Sequence, residues 1–172
     1  MTPLPPPNWQ FSRAVPGSFL NKKAIVCDID GVLADATHRQ HLVTTSNPQW
    51  REFFEGCGDD PLIPSTRLLL MAVESSHVKI LLTARPLYVM TTTMEWLDQH
   101  DVPWDVLIMR DHGNYDSARN FKADEVDRIR AHGLDPQFAL EDDPRNVEMF
   151  VSKGVPCLHV YSGYYERASG TS

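Results

Sequence analysis

Short hydrophobic runs alternate with segments of helical periodicity along most of this chain. The runs are rich in valine, isoleucine and leucine, and their lengths suit buried strands. The predicted strands are residues 24–27, 77–84, 104–109, 137–140 and 155–161. Predicted helices cover residues 61–76, 87–100 and 121–132, with another from Pro144 onwards. The first of these helices is predicted to place Leu68, Leu69, Ala72 and Val73 on its apolar face. This alternation predicts an α/β fold with a mostly parallel sheet, right-handed crossovers and helices on both faces.

Three parts of the chain depart from this alternation. Residues 1–20 contain five prolines and predict an extended arm, which could dock through Trp9 and Phe11. Residues 36–60 are irregular and predict a small helical insertion or flap. The last residues are polar. We therefore expect an arm at 1–20, one folded domain at 21–165 and a polar tail at 166–172.

The composition narrows the class of protein. The formal net charge of −7 argues against a broad basic surface for coating nucleic acid, although a local basic pocket could still grip one phosphate. No apolar run approaches the ~18 residues of a membrane span, and the N-terminus does not have the pattern of a signal peptide. The three cysteines are odd in number and lack metal-site spacing. A reducing, cytoplasmic compartment is therefore expected.

Polar residues lie at the carboxyl ends of three of the predicted strands. They are Asp28 and Asp30 at the first strand, Thr83 and Arg85 at the second, and Glu141 and Asp142 at the fourth. Ligands of open α/β sheets bind at the carboxyl ends of strands. We expect these three clusters to meet in one crevice.

Asp28 and Asp30 are two apart on an extended segment, so both carboxylates project the same way. Such a pair favours a bound cation or a shared proton, and Mg²⁺ prefers oxygen ligands. A calcium-binding EF-hand loop would need a glutamate at its twelfth position, where this chain has Arg39. An ordinary turn capped by the two aspartates is the structural alternative.

Acidic groups beside a hydroxyl, a lysine and arginines form a site for a metal and an anion, and a phosphoryl group suits such a site. An aspartate can attack phosphorus to form an aspartyl-phosphate. A second aspartate can protonate the leaving oxygen and later deprotonate water.

These motifs resemble those of the haloacid dehalogenase (HAD) superfamily of phosphotransferases. Its first motif is matched by Asp28-Ile29-Asp30-Gly31-Val32, and its fourth motif, an acidic pair, by Glu141-Asp142. Thr83 matches the second motif and Lys122 is the candidate for the third. The resemblance implies a Rossmann-like HAD fold in which only the small insertion serves as a cap.

A closer resemblance is to the 3′-phosphatase domains of the bacteriophage polynucleotide kinase/phosphatase family. Arg39 lies eleven residues after Asp28, and Thr83-Ala84-Arg85 matches the family's Ser/Thr-Gly-Arg. The family carries an acidic residue four positions before the lysine, where this chain has Ala118. No Gly-x-x-x-x-Gly-Lys-(Ser/Thr) stretch is present, so kinase activity is not predicted.

The resemblance implies an Mg²⁺-dependent phosphomonoesterase that acts on a nucleic-acid 3′ end or a nucleotide. The site residues it implies are catalytic Asp28, Asp30, Thr83 and Lys122, substrate-binding Arg39 and Arg85, and metal-binding Asp28, Asp30, Asp142 and Glu141. Glu141 is expected to act on the metal through water. The structural alternatives are helix capping for Thr83 and the acidic pair, and exposed surface positions for Lys122 and the arginines. The functional alternatives are a 5′-nucleotidase or other small-molecule phosphatase, and a non-catalytic interaction module on the same fold.

Overall fold

The computed structural model describes residues 4–12 and 21–166. Parts of the predicted N-terminal arm, residues 1–3 and 13–20, and residues 167–172 of the predicted tail lie outside the described residues. The division of the chain into arm, domain and tail stays a prediction.

A six-stranded sheet forms the centre of the molecule, in the order β1-β4-β3-β2-β5-β6. All neighbouring strands are parallel except β1, which pairs antiparallel with β4. The strands are β1 Trp9–Phe11, β2 Lys22–Cys27, β3 Val78–Pro86, β4 Val106–Arg110, β5 Leu134–Glu141 and β6 Cys157–His159. The predicted α/β fold with a mostly parallel sheet is confirmed.

Helices cover both faces of this sheet. They are α1 Thr37–Gln40, α2 Trp50–Glu55, α3 Pro64–Ala72, α4 Met90–Gln99, α5 Ala118–Ala131 and α6 Pro144–Ser152. Two 3₁₀ turns, Gly56–Asp59 and Leu87–Val89, complete the regular structure of the described residues. None of the described helices is long and apolar enough to cross a membrane.

Successive side chains of a β-strand point to opposite faces of the sheet, so those of β2 alternate between two hydrophobic cores. Ala24 and Val26 join one apolar cluster with residues of α5 and α6, while Ile25 and Cys27 join a second cluster with Trp96 of α4. All four β2 side chains are buried. Burial on both faces explains why this strand is a continuous apolar run rather than an alternating one.

Strand β1 was not predicted as a strand, because it is three residues long and follows three consecutive prolines. Trp9 is buried, and its indole nitrogen donates a hydrogen bond to Glu125 of α5 at 2.8 Å. The Asn8 amide donates to the same carboxylate at 3.0 Å and to the carbonyl of Met109 at 2.9 Å. These bonds hold residues around β1 against the helix that carries Lys122.

Three predicted helices differ from the observed ones. The predicted helix 87–100 is observed as the 3₁₀ turn Leu87–Val89 followed by α4. Helix α3 is shorter than residues 61–76 and begins at Pro64, because proline suits the first helical turn. Leu70 is fully buried and Leu68 is 59% exposed, so the predicted apolar face, which included Leu68 and Leu69, is wrong. Helix α5 begins before the predicted residue 121, because the side chain of Ser117 caps it by accepting from the Asn120 amide.

Candidate active site

Three carboxylates meet at the carboxyl edge of the sheet. Asp28 follows β2 directly, and Glu141 and Asp142 lie at the end of the adjacent strand β5. One carboxylate oxygen from each lies within 4.8 Å of the other two, and all three residues are buried. The predicted meeting of the first and fourth motifs is therefore observed, and we call these residues the acidic triplet.

Lys122 lies against the acidic triplet. Its Nζ is 3.0 Å from Asp28 Oδ2 and donates to Glu141 Oε2 at 2.7 Å. The side chain is 1% exposed, so the alternative of a surface lysine is wrong. The two carboxylates raise the pKa of Lys122 above its ordinary value against the opposing effect of burial, which keeps the amine charged.

The two β5 carboxylates of the triplet differ in how they are bonded. Glu141 Oε1 accepts the backbone amides of Asp142 and Asp143, each at 3.1 Å, so its position is fixed. Asp142 Oδ2 is buried without a hydrogen-bond partner among the described residues. Gly31, at φ +79°, lies so close that an added Cβ would be 2.0 Å from this oxygen. The first-motif glycine thus makes room for an oxygen that lacks a partner.

The electrostatics of the triplet favour a cation. Burial and the charge of Glu141 raise the pKa of Asp28 well above its usual range, and the same two causes raise that of Asp142 to about 8. Lys122 supplies one positive charge against three carboxylates. A divalent cation would relieve the excess negative charge and occupy the unpartnered oxygen. The acidic triplet therefore fits an Mg²⁺ ion.

The carboxylate of Asp30 lies outside the triplet and pairs with two arginines. Arg85 donates from Nη2 to Oδ1 at 2.7 Å, and Arg39 donates to the same oxygen. Burial alone would raise the pKa of Asp30, but the two guanidinium groups lower it to about 2. The structure thus places Asp30 beside the predicted substrate-binding arginines rather than among the candidate metal ligands.

Arg39 and Arg85 are themselves buried, at 2% and 0% exposure, so the alternative of exposed surface arginines is wrong. Asp60, which sequence reasoning missed, holds both of them. Its carboxylate accepts two hydrogen bonds from Arg39, at 2.8 and 2.6 Å, and one from Arg85 at 3.0 Å. Asp60 is the last residue of the irregular insertion, where no periodicity indicated burial. Its position directly before Pro61, where the next predicted helix begins, was the only sequence feature that could have pointed to a buried role for Asp60.

Thr83 lies on β3, fully buried, at the carboxyl edge of the sheet. Its Oγ1 accepts a hydrogen bond from the backbone amide of Arg85 at 3.1 Å, which leaves its hydroxyl hydrogen to bind an oxygen.

Asp143 directly follows the acidic pair Glu141-Asp142. It caps α6 by accepting a hydrogen bond from the Arg145 amide at 2.9 Å, so helix capping is its observed role.

The end of β6 and the segment that follows it border the acidic triplet. Tyr164 donates its hydroxyl to Asp35 Oδ1 at 3.1 Å, and its ring lies beside Gly31. His159 Nε2 is 2.9 Å from the carbonyl oxygen of Asp142. This segment is thus tied to both motifs that supply the carboxylates, which the sequence did not predict.

The parallel sheet, the acidic triplet and its buried lysine define a phosphatase of the HAD class. The chain belongs to the family described as the polynucleotide kinase PNKP phosphatase domain (HAD_PNKP), whose model matches residues 22–165. A search of the curated proteins found no match. The family match confirms the predicted resemblance and identifies the chain as a hydrolase, not a non-catalytic module.

Solved structures share the fold. Two structures of a Pnkp1/Rnl/Hen1 complex, one described as an RNA repair complex, match with a TM-score of 0.67 and 23% identity over 88% of this chain. This chain spans only 45% and 50% of the matched chains, about half their length. A HAD-like phosphatase from Mesorhizobium loti matches with a TM-score of 0.56 and 13% identity, over 90% of this chain and 80% of that one. These matches support the Rossmann-like HAD fold.

Proposed function

We propose that this protein is an Mg²⁺-dependent phosphomonoesterase that removes a 3′-phosphate from a polynucleotide end or a nucleotide through an aspartyl-phosphate on Asp28. The observation that carries the proposal is the acidic triplet: three buried carboxylates, of which Asp28 and Glu141 contact one lysine, while an Asp142 oxygen has no partner among the described residues. Such a cluster is costly to bury unless it binds a cation.

The residues that would hold Mg²⁺ are Asp28 and Asp142 directly, with Glu141 acting through water because its oxygens are already bonded. The bound ion would neutralise phosphoryl oxygens and so lower the barrier to attack by an anionic carboxylate. The carboxylate of Asp30 is left out of this ligand set, because both of its oxygens receive hydrogen bonds from Arg85.

In the first step, a carboxylate oxygen of Asp28 attacks phosphorus and the bond from phosphorus to the leaving oxygen breaks. Lys122 lies 3.0 Å from Asp28 and holds the carboxylate in position for this attack. Thr83 donates its hydroxyl to a phosphoryl oxygen. Asp30, two residues after the nucleophile, gives a proton to the leaving oxygen.

The ion pairs described above keep Asp30 ionised, which is the state of a general base rather than a general acid. The incoming phosphate is itself an anion and competes for the guanidinium groups of Arg39 and Arg85. Weaker pairing then raises the pKa of Asp30 and lets it bind the proton that it delivers. Planar guanidinium groups suit phosphate oxygens, so the arginines serve as substrate clamps in the same step.

In the second step, water attacks phosphorus and the bond from phosphorus to Asp28 breaks, which releases phosphate and restores the carboxylate. Asp30, deprotonated after the first step, accepts the proton of the attacking water.

Two features support a nucleic-acid end as the substrate. The insertion between β2 and α3 contains only α1, α2 and one 3₁₀ turn, so it adds a small cap that leaves access for a chain end. The structural relatives described as Pnkp1/Rnl/Hen1 belong to an RNA repair complex. We extend the proposal to a reducing, cytoplasmic location, since Cys27, Cys57 and Cys157 are all free thiols.

The proposal is tested by phosphate release from three substrates: a 3′-phosphorylated oligonucleotide, a 3′-nucleotide and a 5′-nucleotide, each with Mg²⁺ or with EDTA. We expect turnover of the two 3′-phosphates, and loss of turnover in EDTA that added Mg²⁺ restores. A preference for the 5′-nucleotide would instead assign a 5′-nucleotidase. Full turnover in EDTA would contradict the role of the metal.

A further inference from the structure

A cavity lies beside the acidic triplet and shares Asp142 with it. It has a volume of about 210 Å³, and its walls include Asp142, Pro144, His159, Tyr161 and Tyr165. Asp142 belongs to both the cavity and the triplet. A group in this cavity would therefore lie next to a phosphate bound at Asp28.

The walls suit a flat, uncharged ring system. Three of the lining residues, His159, Tyr161 and Tyr165, are aromatic, and the two tyrosines are 74% and 43% exposed. Aromatic side chains are the usual stacking platforms for the bases of single-stranded nucleic acid. The volume is well below the roughly 300–1,000 Å³ of a pocket for a drug-sized ligand. One ring system fits better than a whole nucleotide.

The charges around the cavity disfavour a second phosphate. Asp142 and Glu166 both line it, and the Arg145 guanidinium, 5.8 Å from the centre of the Tyr165 ring, is already paired with Asp143 at 2.7 Å. An additional anion there would face two carboxylates and no unpaired cation among the described residues. A neutral base carries no such penalty.

The residues next to Tyr165 are anchored by hydrogen bonds to the rest of the site. Tyr164 is bonded to Asp35 on the loop that follows the nucleophile, and its amide donates to Ser162 Oγ at 3.3 Å. His159 is fixed against the Asp142 carbonyl. A stacking surface that is already ordered loses less entropy on binding.

We propose that this cavity binds the nucleobase of the 3′-terminal nucleotide, with the base stacked on the ring of Tyr165. The inference rests on the proposed 3′-phosphatase function and assigns a subsite to the sugar-base side of its substrate. The base subsite gives a role to the cavity and its aromatic wall, neither of which takes part in the proposed reaction at Asp28.

The test compares two 3′-phosphorylated oligonucleotides that differ only in whether the last sugar carries a base. We expect Tyr165→Ala to raise KM for the oligonucleotide with the base by about ten-fold, since loss of one base stack acts on this scale. KM for the abasic oligonucleotide, and kcat for both, should stay unchanged. Tyr165→Phe keeps the ring and should restore the wild-type KM. Tyr161→Ala tests a second wall of the same cavity and should raise KM in the same direction.

An equal KM for both oligonucleotides in the wild type, or an equal effect of Tyr165→Ala on both, would overturn the inference while leaving the 3′-phosphatase function intact. A different result would reject the proposed function itself: the wild type would hydrolyse glycerol phosphate but neither oligonucleotide. That result would also reject the base subsite. Leu68→Ala removes a comparably exposed side chain from α3, which contributes no residue to the site, and is the matched control.

Discussion

Asp60 accepts two hydrogen bonds from the guanidinium group of Arg39, at 2.8 Å from Nε to Oδ1 and 2.6 Å from Nη2 to Oδ2. Both side chains are buried, and Asp60 lies 21 residues after Arg39. The pair joins the end of the insertion to its first helix. Because Arg39 also donates a hydrogen bond to Asp30, the insertion helps to position the proposed acid-base residue, which lies outside it.

We expect Asp60→Asn to lower kcat by about 10²-fold, because the arginines that hold Asp30 would lose their fixed positions. Neutralising Asp60 while its buried arginine partners stay charged should also lower the free energy of unfolding by about 3 kcal/mol or more. Phosphate release and urea unfolding measure the two effects. Asp59→Asn removes the neighbouring exposed carboxylate and should change neither. Unchanged kcat in Asp60→Asn would show that Asp60 does not position this network.

The nucleophile assignment makes the sharpest prediction for activity. Asp28→Asn keeps the shape of the side chain and removes the anionic oxygen that attacks phosphorus, so turnover should fall by roughly 10⁴-fold or more. Phosphate release from a generic aryl phosphate, between pH 5 and 9, measures the loss. A variant that keeps most of the wild-type rate would exclude Asp28 as the nucleophile. The fold should survive, because a neutral side chain removes one of three buried negative charges.

The sequence predicted the parts of this site that depend on strand ends. Asp28 and Glu141 end adjacent parallel strands, so the motif positions and the strand order together require that they meet. Lys122 was found only through the family resemblance, because a lysine on a predicted helix ordinarily points to solvent. Its burial follows from tertiary contacts with the two carboxylates, which no local pattern encodes.

The parts that the sequence did not predict depend on long-range polar contacts. Asp60 lies in a segment without periodicity. Docking through Trp9 was expected, but its partner, the Glu125 carboxylate 116 residues away, was not. The predicted apolar face of α3 was wrong because Leu70, rather than Leu68 and Leu69, packs against the core. Periodicity identifies a helix but does not fix its rotation against the sheet.

The buried Glu125 should make the N-terminal strand important for stability. Trp9→Phe keeps an aromatic ring but removes the indole N–H that bonds Glu125 at 2.8 Å, which leaves a buried oxygen without that donor. We expect the free energy of unfolding to fall by about 1–3 kcal/mol, measured by urea unfolding. Trp50→Phe makes the same change at an exposed tryptophan and should be close to neutral. Equal effects of the two changes would contradict a special role for the bond.

The three thiols should react slowly in the folded protein. Burial is the main cause that raises the pKa of Cys27, Cys57 and Cys157, the last to about 12. Because the thiolate is the reactive form, a raised pKa leaves little of it at pH 8. Alkylation with iodoacetamide at pH 8, followed by mass spectrometry, should be much slower for the native protein than for the protein in urea. Fast labelling of Cys157 in the native state would contradict its environment in the structure.

Gly31 and Gly154 provide a matched pair for testing the proposed metal site. Both have a positive φ, +79° and +74°, so alanine strains the backbone similarly at each position. At Gly31 the new Cβ would also lie 2.0 Å from Asp142 Oδ2, whereas at Gly154 it meets nothing within 4 Å. Mg²⁺ that binds the folded state raises the unfolding temperature, and this rise reports affinity without any turnover. We expect Gly31→Ala to abolish the Mg²⁺-dependent rise and Gly154→Ala to keep it. An unchanged rise in Gly31→Ala would mean that Asp142 does not hold the ion, because a ligand oxygen displaced by a methyl group could not keep its place.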